Sequence, residues 1–270
     1  MMSFRDLLPL TTRRYRYERY DQCLEILNQE CDRLEREEDA LGCTYSPYFI
    51  MDIDERSFRE CFVNSEDNLL TLSWDIYDHV FQSALLRMQS RPHAVAVGTF
   101  NNIFSAWARR VAEPHLLSIN ASNVRGQTRS KQSDISWSPR DMPNGRSHKW
   151  PTLVGEVAWS EPRTKLQKDI EFWLDDPNSD VNVAITISIL RRKIIVESWE
   201  RRHNKPPAPS QRIEILRNPR PGRPRVNGQL EINFSAVFLR PKRAGESDFV
   251  LTATDMDELA ADIWTYQYLN

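Results

Sequence analysis

Residues 150–200 read WPTLVGEVAWSEPRTKLQKDIEFWLDDPNSDVNVAITISILRRKIIVESWE, and this stretch decides the fold. It opens with a short apolar run around Glu156 that predicts a β-strand. A helix is predicted over 162–174, because apolar residues recur there at helical spacing. Two β-rich runs, 181–190 and 194–199, follow around a basic turn and predict a hairpin.

A second acidic residue stands in a similar setting twenty-two residues before Glu156. Asp134 lies in KQSDISWSPR, which also predicts a strand, and a polar loop at 139–149 connects the two strands. Strand rise and turn length allow this spacing to place the two carboxylates side by side. Paired carboxylates suit Mg²⁺ or Mn²⁺, which prefer oxygen ligands. The other interpretation is that both are solvated acids at strand ends.

Four consecutive segments, 131–134, 151–161, 165–174 and 181–199, resemble a group of fungal proteins in the PD-(D/E)XK nuclease superfamily. These proteins have the restriction-endonuclease-like fold. More distantly, the stretch resembles the bacterial Uma2-type nucleases of the same superfamily. The resemblance implies an α/β fold with a mixed central sheet flanked by helices. It also implies a divalent-metal-dependent nuclease that hydrolyses phosphodiester bonds of DNA.

The resemblance also implies which residues form the metal site. Asp134, one oxygen of Glu156 and the backbone carbonyl of Val157 would hold Mg²⁺ or Mn²⁺. An additional acid often completes such sites, and Asp75 or Asp78 is the candidate here. The metal would activate a water and neutralise charge on the transition state, so that no covalent nucleophile is needed.

One position departs from the superfamily motif, which places a lysine two residues after the glutamate. That position holds Ala158. The fungal group, like the Uma2-type proteins, moves the lysine to the following helix, where Lys165 and Lys168 are the candidates. Lys165 lies beside the apolar stripe near the helix N-terminus and would orient or deprotonate the water. Alternatively, both lysines are solvated charges on the helix face.

The charge of the chain is unevenly distributed. The formal net charge of −2 over 270 residues argues against a protein that coats nucleic acid indiscriminately. Residues 191–243 nevertheless hold fourteen Lys or Arg against four acids, whereas 244–270 hold six acids and no Lys or Arg. A basic stretch beside a metal site predicts contact with a nucleic-acid backbone. The alternative is a solvated, partly irregular insert.

Cysteine usage and hydropathy indicate an intracellular protein. The four cysteines form no C-x-x-C pair and lie in the first quarter of the chain, which argues against a zinc site and against a secreted disulfide framework. The N-terminus lacks a signal-peptide core, and no run of eighteen apolar residues occurs. We therefore expect no membrane association and a location in the nucleus or cytoplasm.

Outside the matched stretch, two segments define the predicted organisation. An N-terminal helical extension is expected over 1–68, and the nuclease-like domain over 69–270, with a basic, proline-rich insert at 203–226. Residues 13–41 carry apolar residues at heptad spacing for under three heptads. This helix would pack on the domain or pair with its copy in a homodimer.

The remaining elements are predicted from periodicity. A first core helix is expected over 69–88, and strands over 94–98 and 103–111, although the second could equally be helical. Within the insert, 213–216 could form an edge strand. A last strand over 229–239 and a C-terminal helix over 256–268 complete the prediction.

Three classes of function are open at this point. The retained Asp134, Glu156 and Lys165 favour a nuclease. Ala158 favours a catalytically inactive protein of the same fold that binds nucleic acid or a protein partner. A helper protein with no nucleic-acid role is the third possibility, because a shared fold hosts many functions.

Overall fold

The computed structural model describes residues 7–38, 46–113, 115–119, 122–159, 161–201 and 207–267. Its strands are β1 (Arg13–Arg16), β2 (Tyr48–Asp52), β3 (Trp74–Asp78), β4 (Ser83–Arg87), β5 (Leu116–Ser118), β6 (Asn123–Arg125), β7 (Arg129–Gln132), β8 (Ile135–Pro139), β9 (Leu153–Trp159), β10 (Val183–Ile189), β11 (Lys193–Glu200), β12 (Pro209–Leu216), β13 (Leu230–Ile232) and β14 (Phe249–Leu251). Its helices are α1 (Tyr20–Glu38), α2 (Glu55–Phe58), which a π-helical turn (Arg59–Val63) continues, α3 (Asn68–Ser73), α4 (Arg91–Val111), α5 (Arg163–Asp175), α6 (Phe234–Phe238) and α7 (Ala253–Gln267).

The strands form two mixed sheets and a small pair. In the described residues the first sheet has the order β1-β2-β4-β3-β7-β6 and the second the order β12-β11-β10-β9-β8-β5, while β13 pairs with β14. Each large sheet contains one parallel pair, β1 with β2 and β9 with β10, and its other pairs are antiparallel. Helices flank the sheets, so the predicted mixed α/β class is confirmed.

The second sheet is covered on both faces. Helix α5 connects the parallel strands β9 and β10, and its Ile170 and Trp173 pack against Val154 and Ala184 on one face. On the other face, α4 and α7 share a core with the remaining side chains of β9 and β10. The run of buried residues in β10 follows from this double burial.

The two sheets are joined directly by the chain. Strand β7 ends at Gln132 in the first sheet, and β8 begins at Ile135 in the second. Only Ser133 and Asp134 lie between them. One extended segment therefore passes from one sheet to the other, and it carries Asp134 at the crossing.

The predicted first core helix at 69–88 is wrong. After the short helix α3, the chain forms β3 and β4, and it reverses near Gln82, whose φ is 47°. Every residue of both strands is buried. A strand buried on both faces shows no alternation, so the spacing of its large apolar residues resembled that of a helix.

The predicted strands at 94–98 and 103–111 are also wrong, because both segments belong to α4. The Ser90 side chain accepts a hydrogen bond from the His93 N–H at 3.3 Å and caps the helix, and Pro92 occupies its first turn. The buried residues recur at helical spacing: Ala96, Phe100, Phe104, Trp107 and Ala108. The helical alternative noted for the second segment extends over both.

The elements around the matched stretch are confirmed. The strands on either side of the polar loop are β8 and β9, the following helix is α5, and the predicted hairpin is β10 with β11. The edge strand appears as β12, an outer strand of the second sheet. The predicted last strand is the short β13 followed by α6, and the C-terminal helix is α7, with residue 268 outside the described residues.

The N-terminal segment contributes strands as well as a helix. Leu27 and Leu34 of α1 are buried in the core of the first sheet, so the apolar face of this helix packs on its own chain. Strands β1 and β2 pair with β4 in that sheet, so a boundary at 68/69 falls between strands of one sheet. Cys23, Cys31 and Cys61 are free thiols, and Cys43 lies outside the described residues.

No described helix combines the length and apolar character needed to cross a bilayer.

Candidate active site

The site begins with an irregularity in the first sheet. Trp74 pairs with Leu86 and Ile76 with Leu85, so Asp75 is the extra residue of a β-bulge in β3. Its side chain is fully buried. Bulges change the direction in which a strand presents its side chains and recur beside active sites. Here the bulge places a carboxylate between the first sheet and α5.

Two lysines hold this carboxylate from both sides. Lys131, on the neighbouring strand β7, places its Nζ 2.5 Å from Asp75 Oδ1. Lys165, in the first turn of α5, places its Nζ 2.6 Å from Asp75 Oδ2. Both ammonium groups are buried. The three residues form an ion network between the first sheet and α5.

Two more carboxylates complete this network. The Lys131 Nζ lies 3.4 Å from Glu156 Oε1 and 3.4 Å from Asp169 Oδ2, and the Lys165 Nζ lies 2.8 Å from the same Asp169 oxygen. One oxygen from each of Asp75, Glu156 and Asp169 lies within 4.8 Å of the others. We call these three residues the carboxylate cluster.

Hydrogen bonds orient Glu156 and a fourth acid, Glu161. The Trp173 indole N–H donates to Glu156 Oε1 at 2.5 Å, which fixes that side chain against α5. The Tyr48 hydroxyl of β2 donates to Glu161 Oε2 at 2.5 Å. Glu161 Oε1 lies 3.4 Å from the Lys165 Nζ. Tyr48 thus ties the first sheet to the chain that leads into α5.

The acids of this region outnumber its bases. Asp75, Glu156, Glu161 and Asp169 surround two lysines. Burial raises the pKa of Glu156 well above its usual range and that of Glu161 to about 7, and the nearby lysines offset this effect only in part. Burial acts in the same direction on Asp75, but there the charges of Lys131 and Lys165 outweigh it and the pKa is lowered. The four acids therefore carry more potential negative charge than the two lysines compensate, and the raised pKa values of Glu156 and Glu161 favour their protonated forms.

Asp134 lies next to Glu156 but has different partners. Ile135 pairs with Gly155 in the antiparallel register of β8 and β9. Asp134 and Glu156 are the next residues in that register, so they lie beside each other. Asp134 Oδ1 accepts from the Arg87 guanidinium, and Oδ2 accepts from the Val157 N–H at 2.8 Å.

The His93 Nε2 lies 3.1 Å from Asp134 Oδ2. Burial would raise the pKa of Asp134, but the charges of Arg87 and His93 outweigh burial and lower it. The negative charge of Asp134 is therefore compensated by Arg87 and His93, and Asp134 lies outside the carboxylate cluster.

The other predicted site residues fall in different places. Lys165 lies inside the network, whereas Lys168 is half-exposed and pairs with Glu171. Asp78 accepts from the backbone N–H groups of the turn after β3, both at 3.0 Å, and lies 3.3 Å from Arg129. A small pocket borders the cluster and is lined in part by Arg129, Lys131, Lys165, Lys168 and Asp169.

Sequence reasoning missed Lys131 and Asp169 as site residues. Lys131 belonged to the matched KQSD segment but was not assigned a role. Asp169 lies one turn of helix after Lys165, and this spacing was the signal that the two side chains would meet. Ala158 is buried two residues after Glu156 on the same strand, and the ammonium group near Glu156 comes from another strand, through Lys131 of β7.

The chain matches no protein-family model and no curated protein. Among solved structures, it is similar to a candidate nuclease of the DUF820 family from Anabaena variabilis, with 11% identity and a TM-score of 0.41. The alignment covers 66% of this chain and 87% of that chain. A likeness of this size carries no conclusion about activity, and the chemistry of the site rests on its own residues.

Proposed function

We propose that this chain is a divalent-metal-dependent nuclease that hydrolyses phosphodiester bonds of DNA. The observation that carries the proposal is the carboxylate cluster, in which three buried acids from three different elements converge within 4.8 Å. The excess of acids over lysines supports it, because a cation would replace the protons that now compensate this charge.

The donor set fits Mg²⁺ or Mn²⁺. Both cations prefer carboxylate oxygens, and bonds of about 2.0–2.6 Å allow oxygens on opposite sides of one ion to lie roughly 4–5 Å apart. Asp75, Glu156 and Asp169 would hold the cation. Asp134 would not be a ligand in this arrangement, since both of its oxygens have partners. It would fix the peptide that follows Glu156.

A bound cation supplies Lewis-acid activation of water and neutralises charge at the scissile phosphate. The protein contributes two ammonium groups. Burial alone would lower the pKa of Lys165, but Asp169 and Asp75 outweigh burial and raise it, so Lys165 stays charged at neutral pH. Lys165 would therefore orient the water or the phosphate as a hydrogen-bond donor, and it would not act as a base.

Glu161 is the carboxyl best suited to exchange a proton. Its pKa of about 7 means that it loses and gains a proton near neutral pH, and the Tyr48 hydroxyl fixes its orientation. Within the proposal it accepts the proton that the attacking water loses. Tyr48 itself holds its proton, because burial raises its pKa well above the usual range.

A catalytically inactive protein of the same architecture is the second candidate. Lys131 lies within 3.4 Å of an oxygen from every member of the carboxylate cluster, so its ammonium group already occupies the centre of the acids. A closed ion network of this kind can also serve structure alone. This candidate would bind nucleic acid or a protein partner without cleaving either.

The deciding experiment is cleavage of plasmid DNA, DNA oligonucleotides and RNA across a series of Mg²⁺ and Mn²⁺ concentrations. We expect cleavage that EDTA abolishes and that falls at least about a hundredfold in Glu156→Gln and Lys165→Ala, since each removes an electrostatic contribution to the transition state. Lys149→Ala, an exposed lysine in the loop before β9, is the matched control and should keep full activity.

Two outcomes would reject the nuclease. Cleavage that survives in Glu156→Gln would point to a contaminating enzyme. If a protein that is folded and binds Mn²⁺ cleaved none of these substrates, the second candidate, a catalytically inactive binding protein, would be favoured. Cleavage of RNA alone would keep the chemistry and correct the substrate.

A further inference from the structure

A second charged feature lies outside the carboxylate cluster and has the opposite sign. A cavity of about 570 Å³ is lined, among the described residues, by Arg191, Arg192, Arg217 and Asn218. We call it the arginine pocket. Its residues come from the turn between β10 and β11 and from the chain that follows β12. We propose that the arginine pocket binds phosphate groups of a nucleic-acid strand away from the scissile bond.

The walls of the pocket are held by the fold. The Arg217 N–H donates to the Arg192 carbonyl at 3.0 Å, which ties the end of β12 to the β10–β11 turn. The Leu190 N–H donates to the Lys193 carbonyl at 2.9 Å and closes that turn. The Arg217 guanidinium lies 5.8 Å from the ring centroid of Trp264 in α7. The arginines therefore lie in connections that backbone hydrogen bonds hold at the ends of paired strands.

The charges of two of the pocket's arginines, Arg191 and Arg192, are not neutralised by any carboxylate in the described part of the chain. Arg191 and Arg192 are exposed, and neither forms an ion pair with a described carboxylate. Two acids on the adjoining elements have other partners: Glu214 of β12 lies 2.7 Å from Lys193, and Asp257 of α7 lies 3.2 Å from Arg225. Guanidinium groups that share one cavity repel each other, and a bound anion removes that repulsion.

The position of the pocket indicates which anion it takes. Thr186 of β10 pairs with Glu156 of β9, and these parallel strands end at the same edge of the second sheet. Arg191 follows Thr186 by five residues, a distance of about 16 Å along an extended chain. Glu156 faces α5 and Arg217 contacts α7, so a strand that crosses this edge can reach both. Guanidinium groups bind phosphate oxygens through paired hydrogen bonds.

This inference rests on the proposed function in taking nucleic acid as the ligand. It adds a contact that binds substrate without taking part in hydrolysis. The basic stretch predicted at 191–243 is thereby reduced to a small set of residues that the fold gathers from positions twenty-five apart in sequence, Arg192 and Arg217. A phosphate contact of this kind positions the strand and carries no base specificity.

The test compares two pairs of adjacent, exposed arginines in the full chain. Arg191→Ala/Arg192→Ala removes two charges from the pocket, and Arg109→Ala/Arg110→Ala removes two from the end of α4, which leads to β5 at the other side of the sheet. Binding of labelled DNA and RNA oligonucleotides is measured by fluorescence anisotropy with EDTA present, between about 50 and 200 mM salt.

We expect the pocket variant to bind about tenfold or more weakly and to lower the slope of log Kobs against log salt by about two, since each phosphate contact contributes roughly 0.9. The control pair should keep the slope of the wild type. Arg191→Lys/Arg192→Lys, which keeps the charge, should recover most of the slope.

Equal slopes for the wild type and the pocket variant would overturn the inference, as would an equal loss in the control pair. A wild-type protein that binds inorganic phosphate but neither oligonucleotide would overturn it as well. The two proposals fail separately. Cleavage that depends on Glu156 with no role for the arginines rejects the pocket alone, whereas arginine-dependent binding without cleavage rejects the nuclease alone.

Discussion

Asp134 directly precedes β8 and Glu156 lies on its partner strand β9, and both are buried, yet their surroundings differ in kind. Asp134 meets Arg87, His93 and a backbone N–H, and its pKa is lowered although burial opposes this. Glu156 meets Lys131 together with other acids, and burial raises its pKa. A buried carboxylate whose charge is already matched serves the structure. One that shares too few cations with other acids is suited to bind another cation.

The largest predicted effect of this difference between Asp134 and Glu156 is on the free energy of unfolding. Asp134→Asn keeps an acceptor for the Val157 N–H but leaves the buried Arg87 without its counter-charge, so the free energy of unfolding should fall by about 3–5 kcal/mol. Urea unfolding at neutral pH measures this. Glu156→Gln should cost less than about 1 kcal/mol in the metal-free protein, because burial disfavours the charged form of the side chain it replaces and raises its pKa. Equal losses in the two variants would remove the distinction drawn between the two carboxylates.

The second prediction concerns pH and Glu161. The folded protein holds a proton on Glu161 up to about pH 7, whereas the unfolded chain releases it near the ordinary value of about 4.5. Its contribution to stability is therefore present below pH 4.5 and is lost as pH rises through about 7. The free energy of unfolding of Glu161→Gln, measured relative to that of the wild type, should therefore be higher at pH 8 than at pH 4.5, by up to about 3 kcal/mol. Urea unfolding of both proteins at several pH values across this range tests the prediction. If the free energies of unfolding of the two proteins changed with pH by the same amount, the prediction would be wrong.

A third prediction uses the metal itself. If the carboxylate cluster binds Mn²⁺ only when folded, the ion should raise the free energy of unfolding by about 2.7 kcal/mol at a concentration one hundred times its Kd. Thermal unfolding with and without Mn²⁺ measures the shift, and calorimetry gives the Kd. Glu156→Gln should lose most of this stabilisation and Asp134→Asn should keep it. The reverse result would return the metal to Asp134.

The smallest effect is expected at Lys168. It is half-exposed and pairs with Glu171 on the helix surface, so Lys168→Ala should change the free energy of unfolding by no more than about 0.5 kcal/mol. Lys165→Ala should cost several times more, because it leaves buried acids without a partner. Unfolding of the two variants under identical conditions compares them. A loss at Lys168 as large as that at Lys165 would mean that the difference in exposure has no energetic consequence.

The fold was predictable where the sequence period was unambiguous. Helix α5 has one apolar stripe, and β10 with β11 form two β-rich runs around a short basic turn, so both were predicted close to their bounds. The segment that contains β3 and β4 was not, because strands buried on both faces lose the alternation that identifies a strand. Pairing between distant strands, such as β2 with β4, leaves no local signal.

The site was predictable in part for the same reason. Glu156 and Lys165 stand in segments with recognisable patterns. Asp134 was predicted beside them but lies outside the carboxylate cluster, and Asp75 was named as a candidate on a wrongly predicted helix. The bulge that turns Asp75 inward depends on the pairing of β3 with β4, which no spacing reveals. Lys131 and Tyr48 reach the acids only because the first sheet packs against α5. Tertiary packing, and not local sequence, decides which acids share which bases.

The passage of one segment from β7 to β8 has a consequence for folding. Lys131 belongs to the first sheet, while Glu156 and Asp169 belong to the second sheet and its helix. Neither half can bury its charges until the other is in place, because a lone buried ion is strongly unfavourable. The two halves should therefore assemble in one late folding step, after each sheet has formed most of its local contacts. The buried ion pairs would form only when the two halves are correctly aligned, so misaligned arrangements would be destabilised.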